Sequence, residues 1–112
     1  PPTRVCLMTC PNLETARTIA KELLQKKVVA CVNLVPQVTS LYWWQGEIQE
    51  DSEVLLIAKT QQACLDDLTA TLPQLHPYSV PELLVLPVET GLPAYLKWID
   101  ESLMGLSPQQ NG

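Results

Sequence analysis

Residues 30–46 constrain this chain more than any other stretch. Ala30-Cys31-Val32-Asn33-Leu34-Val35-Pro36 is a nearly uninterrupted apolar strand pattern. Val38-Thr39-Ser40-Leu41-Tyr42-Trp43-Trp44 follows it as an aromatic strand that ends at Gln45-Gly46. The chain has 3 Trp, 3 Tyr and no Phe, so half of its aromatic residues sit at Tyr42, Trp43 and Trp44, beside a polar hairpin tip. Successive strand residues point to opposite faces. Trp43 and the Tyr42/Trp44 pair therefore cannot share one core. At least one large ring has to cover a partner surface or line a ligand pocket.

A length of 112 residues suits a single domain, expected over 1–106, which can bury roughly 65% of the surface its unfolded chain exposes. Such a core needs no disulfides, and the four cysteines (Cys6, Cys10, Cys31, Cys64) have irregular spacing. Thiols in apolar strands behave as small hydrophobes, which points to reduced cysteines and a cytoplasmic location. No secretion signal or bilayer-length apolar run is expected, although the start at Pro1-Pro2-Thr3 without Met leaves a removed leader open. A net charge of -5 opposes phosphate-based nucleic-acid recognition, which needs clustered Lys and Arg. Arg17, Lys21, Lys26 and Lys27 fall on one predicted helix as a solvated face.

The periodicities place a first strand over Arg4–Cys10. Asn12 is the expected N-cap of a helix with Leu13, Ala16, Ile19, Ala20, Leu23 and Leu24 inward, and Lys26-Lys27 suit its C-terminal end. Val28–Val35 is a strand, and Thr39–Trp44 with Glu47–Thr60 forms a hairpin across Gln45-Gly46. Glu50-Asp51-Ser52-Glu53 is acidic enough to predict a solvated edge. A second helix presents Leu65, Leu68, Leu72 and Leu75, with Pro73 ending or kinking its last turn. Glu82–Val88 is the last strand, with Pro81 and Pro87 at its ends. Pro93 opens a third helix with Tyr95, Trp98, Ile99 and Leu103 inward. Residues 107–112 are expected to be a disordered tail. This order is the βαββαβ split of an α+β ferredoxin-like sandwich with an added C-terminal helix. It leaves one sheet face bare, and large exposed apolar faces mark association.

The aromatic segment, Glu50-Asp51-Ser52-Glu53-Val54-Leu55-Leu56, Lys59-Thr60, His76-Pro77-Tyr78, Pro81-Glu82-Leu83 and Tyr95-Leu96-Lys97-Trp98 resemble, in order, the pattern of the CutA family of divalent cation tolerance proteins. The resemblance covers about Val5 to about Leu103. It implies a homotrimer packed through its sheets, without enzymatic activity, that takes part in tolerance of copper or another divalent cation and in the response to metal ions. Some family members are described as binding copper through a strand Cys and a His-His pair. Leu75 stands here at the first His of that pair, and Met8 at the strand Cys, with Cys10 two residues on.

His76 is the only His and, with Cys10 and Glu82, makes the candidate metal set, since imidazole is the commonest metal ligand. Cys6, Met8 and Cys10 share one face of the first strand. That face is either a soft-ligand stripe suited to Cu(I) or ordinary core filling. A Cys10–His76 nucleophile and base pair has nothing to orient it, and no GxSxG, phosphate loop or GxGxxG occurs, so an enzyme is not expected. The alternative is a PII-like signalling or interaction module that binds a small ligand in clefts between subunits. Tyr42, Trp44, Lys59 and Tyr78, with His76 and Glu82, would line such a cleft.

Overall fold

Asn12 starts the first helix: its side chain accepts a hydrogen bond from the Thr15 N–H at 2.8 Å, satisfying one orphan donor of the first turn. From this cap the chain follows the expected order in a computed structural model that describes residues 1–104. The elements are β1 (Thr3–Cys10), α1 (Leu13–Gln25), β2 (Cys31–Trp44), β3 (Glu47–Gln61), α2 (Leu65–Leu75), β4 (Leu84–Pro87) and α3 (Pro93–Leu103). The four strands form one antiparallel sheet in the order β2-β3-β1-β4. This is the ferredoxin-like arrangement, with α3 as the added helix. The expected tail at 107–112 lies outside the described residues.

Alternation sorts the sheet into two faces. Cys6, Met8 and Cys10 of β1 with Val54, Leu56 and Ala58 of β3 pack against Ala16, Ile19 and Leu23 of α1 and Leu68 and Leu72 of α2. Each fully buried Leu, Ile or Met contributes about 1.5–3 kcal/mol relative to an exposed position. The Cys6-Met8-Cys10 stripe is thus core, wholly buried. The opposite face carries Val5, Leu7, Val35, Leu55, Ile57, Leu84 and Leu86, all partly or largely exposed. It is the bare apolar face that helices on one side leave behind.

Several expectations change in detail. Val28–Val35 and Thr39–Trp44 are not separate strands. One strand, β2, runs from Cys31 to Trp44, while Val28 and Val29 are buried in the turn after α1. Its continuity is broken only by a bulge, where Pro36 and Gln37 stand opposite Val54 alone between the pairs Val35↔Leu55 and Val38↔Glu53. Proline is tolerated there because β2 is an edge strand, and Gln37 takes φ 62. Pro73 does not end α2, which continues to Leu75 and stops at His76. The strand expected over Glu82–Val88 shortens to Leu84–Pro87. Leu24 is exposed, and Tyr95 and Trp98 do not point inward: they stack on each other at 5.7 Å, both more than two-fifths exposed, because Ile99 and Leu103 take the core-facing positions of α3.

α1 ends in a Schellman arrangement, with Lys27 N–H bonding the Leu24 carbonyl and Val28 N–H the Leu23 carbonyl. Lys27 occupies the left-handed position (φ 60) where Gly is usual, and its Nζ reaches the Ser102 carbonyl at the end of α3. Buried Thr60 then ties this turn to β3 by donating from Oγ1 to the Val28 carbonyl at 2.7 Å. Thr60→Val keeps the shape but removes that donor. A loss of about 1–2 kcal/mol of unfolding free energy, read as a lower urea midpoint with unchanged slope, is the expected outcome. Wild-type stability would show that the bond is replaceable.

Candidate functional site

The end of α2 sets the site. The residue before a proline is held out of the helical region, so His76, ahead of Pro77, becomes extended (φ -90, ψ 139) and terminates the helix. Its N–H still bonds the Leu72 carbonyl at 3.1 Å. The ring turns toward β1 at the point where β4 stops pairing, beyond Leu7↔Leu84. There its Nε2 lies 2.7 Å from the Thr9 carbonyl oxygen, and its Nδ1 accepts the Tyr78 N–H at 3.1 Å. A carbonyl only accepts and an amide N–H only donates, so these partners select the neutral tautomer with the proton on Nε2. Cys10 Sγ is 3.7 Å from the same nitrogen. Burial, reinforced by the charge of Glu53, pushes the Cys10 thiol up to about 11, which disfavours the thiolate that both nucleophilic attack and metal ligation need.

Next to this pair the Tyr78 ring packs on His76 at 4.7 Å, and its hydroxyl donates to Glu53 Oε2 at 2.7 Å. Glu53 is only 8% exposed. Tyr42, on the hairpin, donates its hydroxyl to Asp51. Desolvation and then the Glu53 bond raise the Tyr78 phenol, whereas for Tyr42 the Asp51 bond comes first. The Glu82 carboxyl is also raised, by desolvation and then by Glu53. Together the hairpin, the end of β1 and the loop from Tyr78 to Glu82 enclose a cleft of about 650 Å³.

Of the residues expected at a site, His76 and Cys10 are brought together, and Tyr42, Trp44, Tyr78 and Glu82 share the cleft. Lys59 does not join them. It lies six residues along β3 from Glu53, roughly 20 Å away at strand rise, and it hydrogen-bonds Asn33 on the bare sheet face. Trp43 is not among the cleft walls and is 72% exposed. Glu53, expected in a solvated edge with Glu50 and Asp51, is the residue that sequence reasoning missed. Its alternation with Leu55 and Ile57 was the available signal, since it places Glu53 on an apolar face rather than at a rim.

Copper or another divalent cation finds two adjacent donors here, His76 and Cys10, with both ring nitrogens already engaged. Glu82 does not complete a three-donor set: among the described residues no three His, Cys, Asp or Glu side chains form a metal-holding group. The donor set therefore does not fit a closed metal site of tetrahedral or higher coordination. Among the described residues no helix is long and apolar enough to cross a membrane.

Residues 4–102 match the family model described as CutA1 divalent ion tolerance protein. Protein CutA of Mus musculus is 49% identical over 94 residues, which are 84% of this chain and 53% of that protein. The divalent-cation tolerance protein CutA of Thermus thermophilus is 48% identical over 98 residues, covering 88% of this chain and 95% of that protein. The crystal structure of CutA from Xylella fastidiosa superposes with a TM-score of 0.89 at 36% identity, covering 92% of this chain and 99% of that one. The chain spans about half to three-fifths of the length of the vertebrate relatives it matches and nearly all of the Thermus protein. With a family match over almost its whole described length, relatives near one-half identity and a closely superposing fold, this chain belongs to the CutA divalent ion tolerance family.

Proposed function

We propose that this chain works as a non-enzymatic homotrimer in divalent-cation tolerance and the response to metal ions, copper among them, in the cytoplasm. Family membership supports the role, and one observation supports the assembly. Beyond the Cys10↔Val54 pair the β2–β3 hairpin continues as a two-stranded arm, which stretches the molecule to 53 × 27 × 23 Å. Leu41 and Ile48, each 64% exposed, and Trp43 lie along it. An isolated two-stranded ribbon is marginal in water, and so large an apolar surface calls for cover. Packing of this arm and the bare sheet face against further copies supplies that cover. The net charge of -5 argues against nucleic acid and anionic membrane surfaces as partners.

A second reading, a PII-like module that takes a small ligand at the cleft, is favoured by the cleft itself, whose volume falls within the ordinary range for small-molecule sites. In the homotrimer this cleft would lie where the arm meets a neighbouring subunit.

Light scattering at micromolar concentration should report three chains, with well over roughly 2,000 Å² buried in all. A stable monomer would overturn the assembly. Trp43→Ala should make melting depend more steeply on protein concentration, because weaker association couples to unfolding.

Copper binding should be weak, because ligation by His76 has to break its bond to Thr9 or to Tyr78. In calorimetry, His76→Ala should lower Cu(II) affinity at least tenfold, about 1.4 kcal/mol, and Cys10→Ser should leave it nearly unchanged. Equal Cu(II) affinity in wild type and His76→Ala would remove His76 from the metal reading.

A further inference from the structure

The cleft between the hairpin arm, the end of β1 and the Tyr78–Glu82 loop is electrically one-sided. Its walls hold two carboxylates, Glu53 and Glu82, three aromatic rings, Tyr42, Trp44 and Tyr78, and no Lys or Arg. Glu53 is more than nine-tenths buried. Its Oε2 receives the Tyr78 hydroxyl, while among the described residues nothing donates to its Oε1 and no basic group pairs with it. Buried carboxylates are ordinarily matched by a cation or by several donors, since removing such a charge from water costs several kcal/mol. Glu53 thus presents one oxygen, free of protein donors among the described residues, to the open cleft.

We propose that this cleft binds a small organic cation carrying an alkylammonium or guanidinium group. Glu53 is its counter-ion, and Tyr42, Trp44 and Tyr78 form its aromatic walls. The proposal rests on the small-ligand reading of the cleft and names the ligand class. Three features select an organic cation over a metal. No three-donor set is present, whereas hard divalent ions demand six or more oxygens in a tight shell. A volume of about 650 Å³ suits a ligand with a carbon skeleton, not a bare ion. Aromatic faces attract ammonium and guanidinium groups through the ring quadrupole. The phenols aid this geometrically: Asp51 and Glu53 hold the hydroxyls of Tyr42 and Tyr78, which fixes both rings at the cleft wall. The Glu82 carboxyl is raised first by desolvation and then by the nearby charge of Glu53, so the two acids stand close enough to act on one ligand group.

The test uses the full chain and four probes: n-butylammonium, guanidinium, neutral n-butanol and n-butyrate. Binding is read by calorimetry and by the fluorescence of Trp44, assigned with Trp44→Phe. Butylammonium or guanidinium should bind saturably, with butanol and butyrate at least tenfold weaker. Glu53→Gln keeps an acceptor for Tyr78 and removes the charge. It should lose at least tenfold in cation affinity while its melting temperature stays within a few degrees. Should Glu53→Gln not fold, Trp44→Leu, at a half-exposed position, and Glu82→Gln should each lower cation affinity instead.

A further probe, Nα-acetyl-lysine methylamide, separates the two sources of such a group. Binding tighter than butylammonium assigns the cation to a protein side chain, and weaker binding to a free amine. Equal binding of butanol, or an unchanged affinity in Glu53→Gln, overturns the proposal. So does competition by Mg²⁺ or Cu²⁺ at the same signal, which would leave a cleft that selects metal ions. Absence of any saturable cleft binding would remove the small-ligand reading as well, while the trimer, measured separately by light scattering, would stand untouched.

Discussion

One surplus residue in β2 governs the geometry of this molecule. Pro36 and Gln37 oppose Val54 alone, so every side chain of the hairpin arm changes faces relative to an unbroken strand. Before the bulge, Asn33 and Val35 pair with Ile57 and Leu55. After it, Val38, Ser40 and Tyr42 pair with Glu53, Asp51 and Gln49. Without the bulge, Thr39, Leu41 and Trp43 would share the face of Glu53, and Tyr42 and Trp44 would turn away from the cleft. A strand bent by a bulge also twists more strongly, which aims the arm past the end of β1. Register thus decides that Tyr42, and not Leu41 or Trp43, shares the sheet face of Glu53.

The far wall of the cleft depends on a different economy, that of unpaired backbone groups. β4 is too short to reach Thr9, and a buried carbonyl without a donor is destabilising. His76 supplies the donor and in doing so surrenders its Nε2, while the Tyr78 N–H occupies Nδ1. The only imidazole of the chain is consumed in closing the sheet. Beside it stands the carboxylate of Glu53, held in place by Tyr78 and with no basic partner among the described residues.

Much of this was legible in the residues. Helix periodicity, the Asn12 cap, the Gln45-Gly46 turn and the strand order follow from local rules, and those rules give the ferredoxin-like topology. The impossibility of burying Tyr42, Trp43 and Trp44 together was visible as well, and all three are at least two-fifths exposed. What stayed hidden depends on long-range register. A Pro-Gln pair between two apolar runs suggests a break as readily as a bulge, so the residues read as two strands where the fold has one. Glu53 looked like one more acid in a polar run until its pairing with Val38 placed it inside. Lys59 lies at the opposite end of the same strand face, a distance that only the pairing of β3 with β1 and β2 determines. Tyr95 and Trp98 follow helical spacing, yet the core takes only Ile99 and Leu103, because α3 covers the sheet along a narrow stripe.

The Lys59–Asn33 hydrogen bond has a consequence for whatever covers the bare sheet face. Around it lie Val5, Leu7, Val35, Leu55 and Ile57, a surface that by itself would accept apolar layers in many orientations. An ammonium group in their midst does not tolerate that freedom. Each covering arrangement must either leave Lys59 a path to water or bring a second acceptor to it, since an ammonium has three donors and Asn33 takes one. Most sliding and rotated alternatives would strand the charge at a cost of several kcal/mol. Were a second apolar layer to cover this face, the lysine would add little grip and would act mainly by excluding misaligned arrangements.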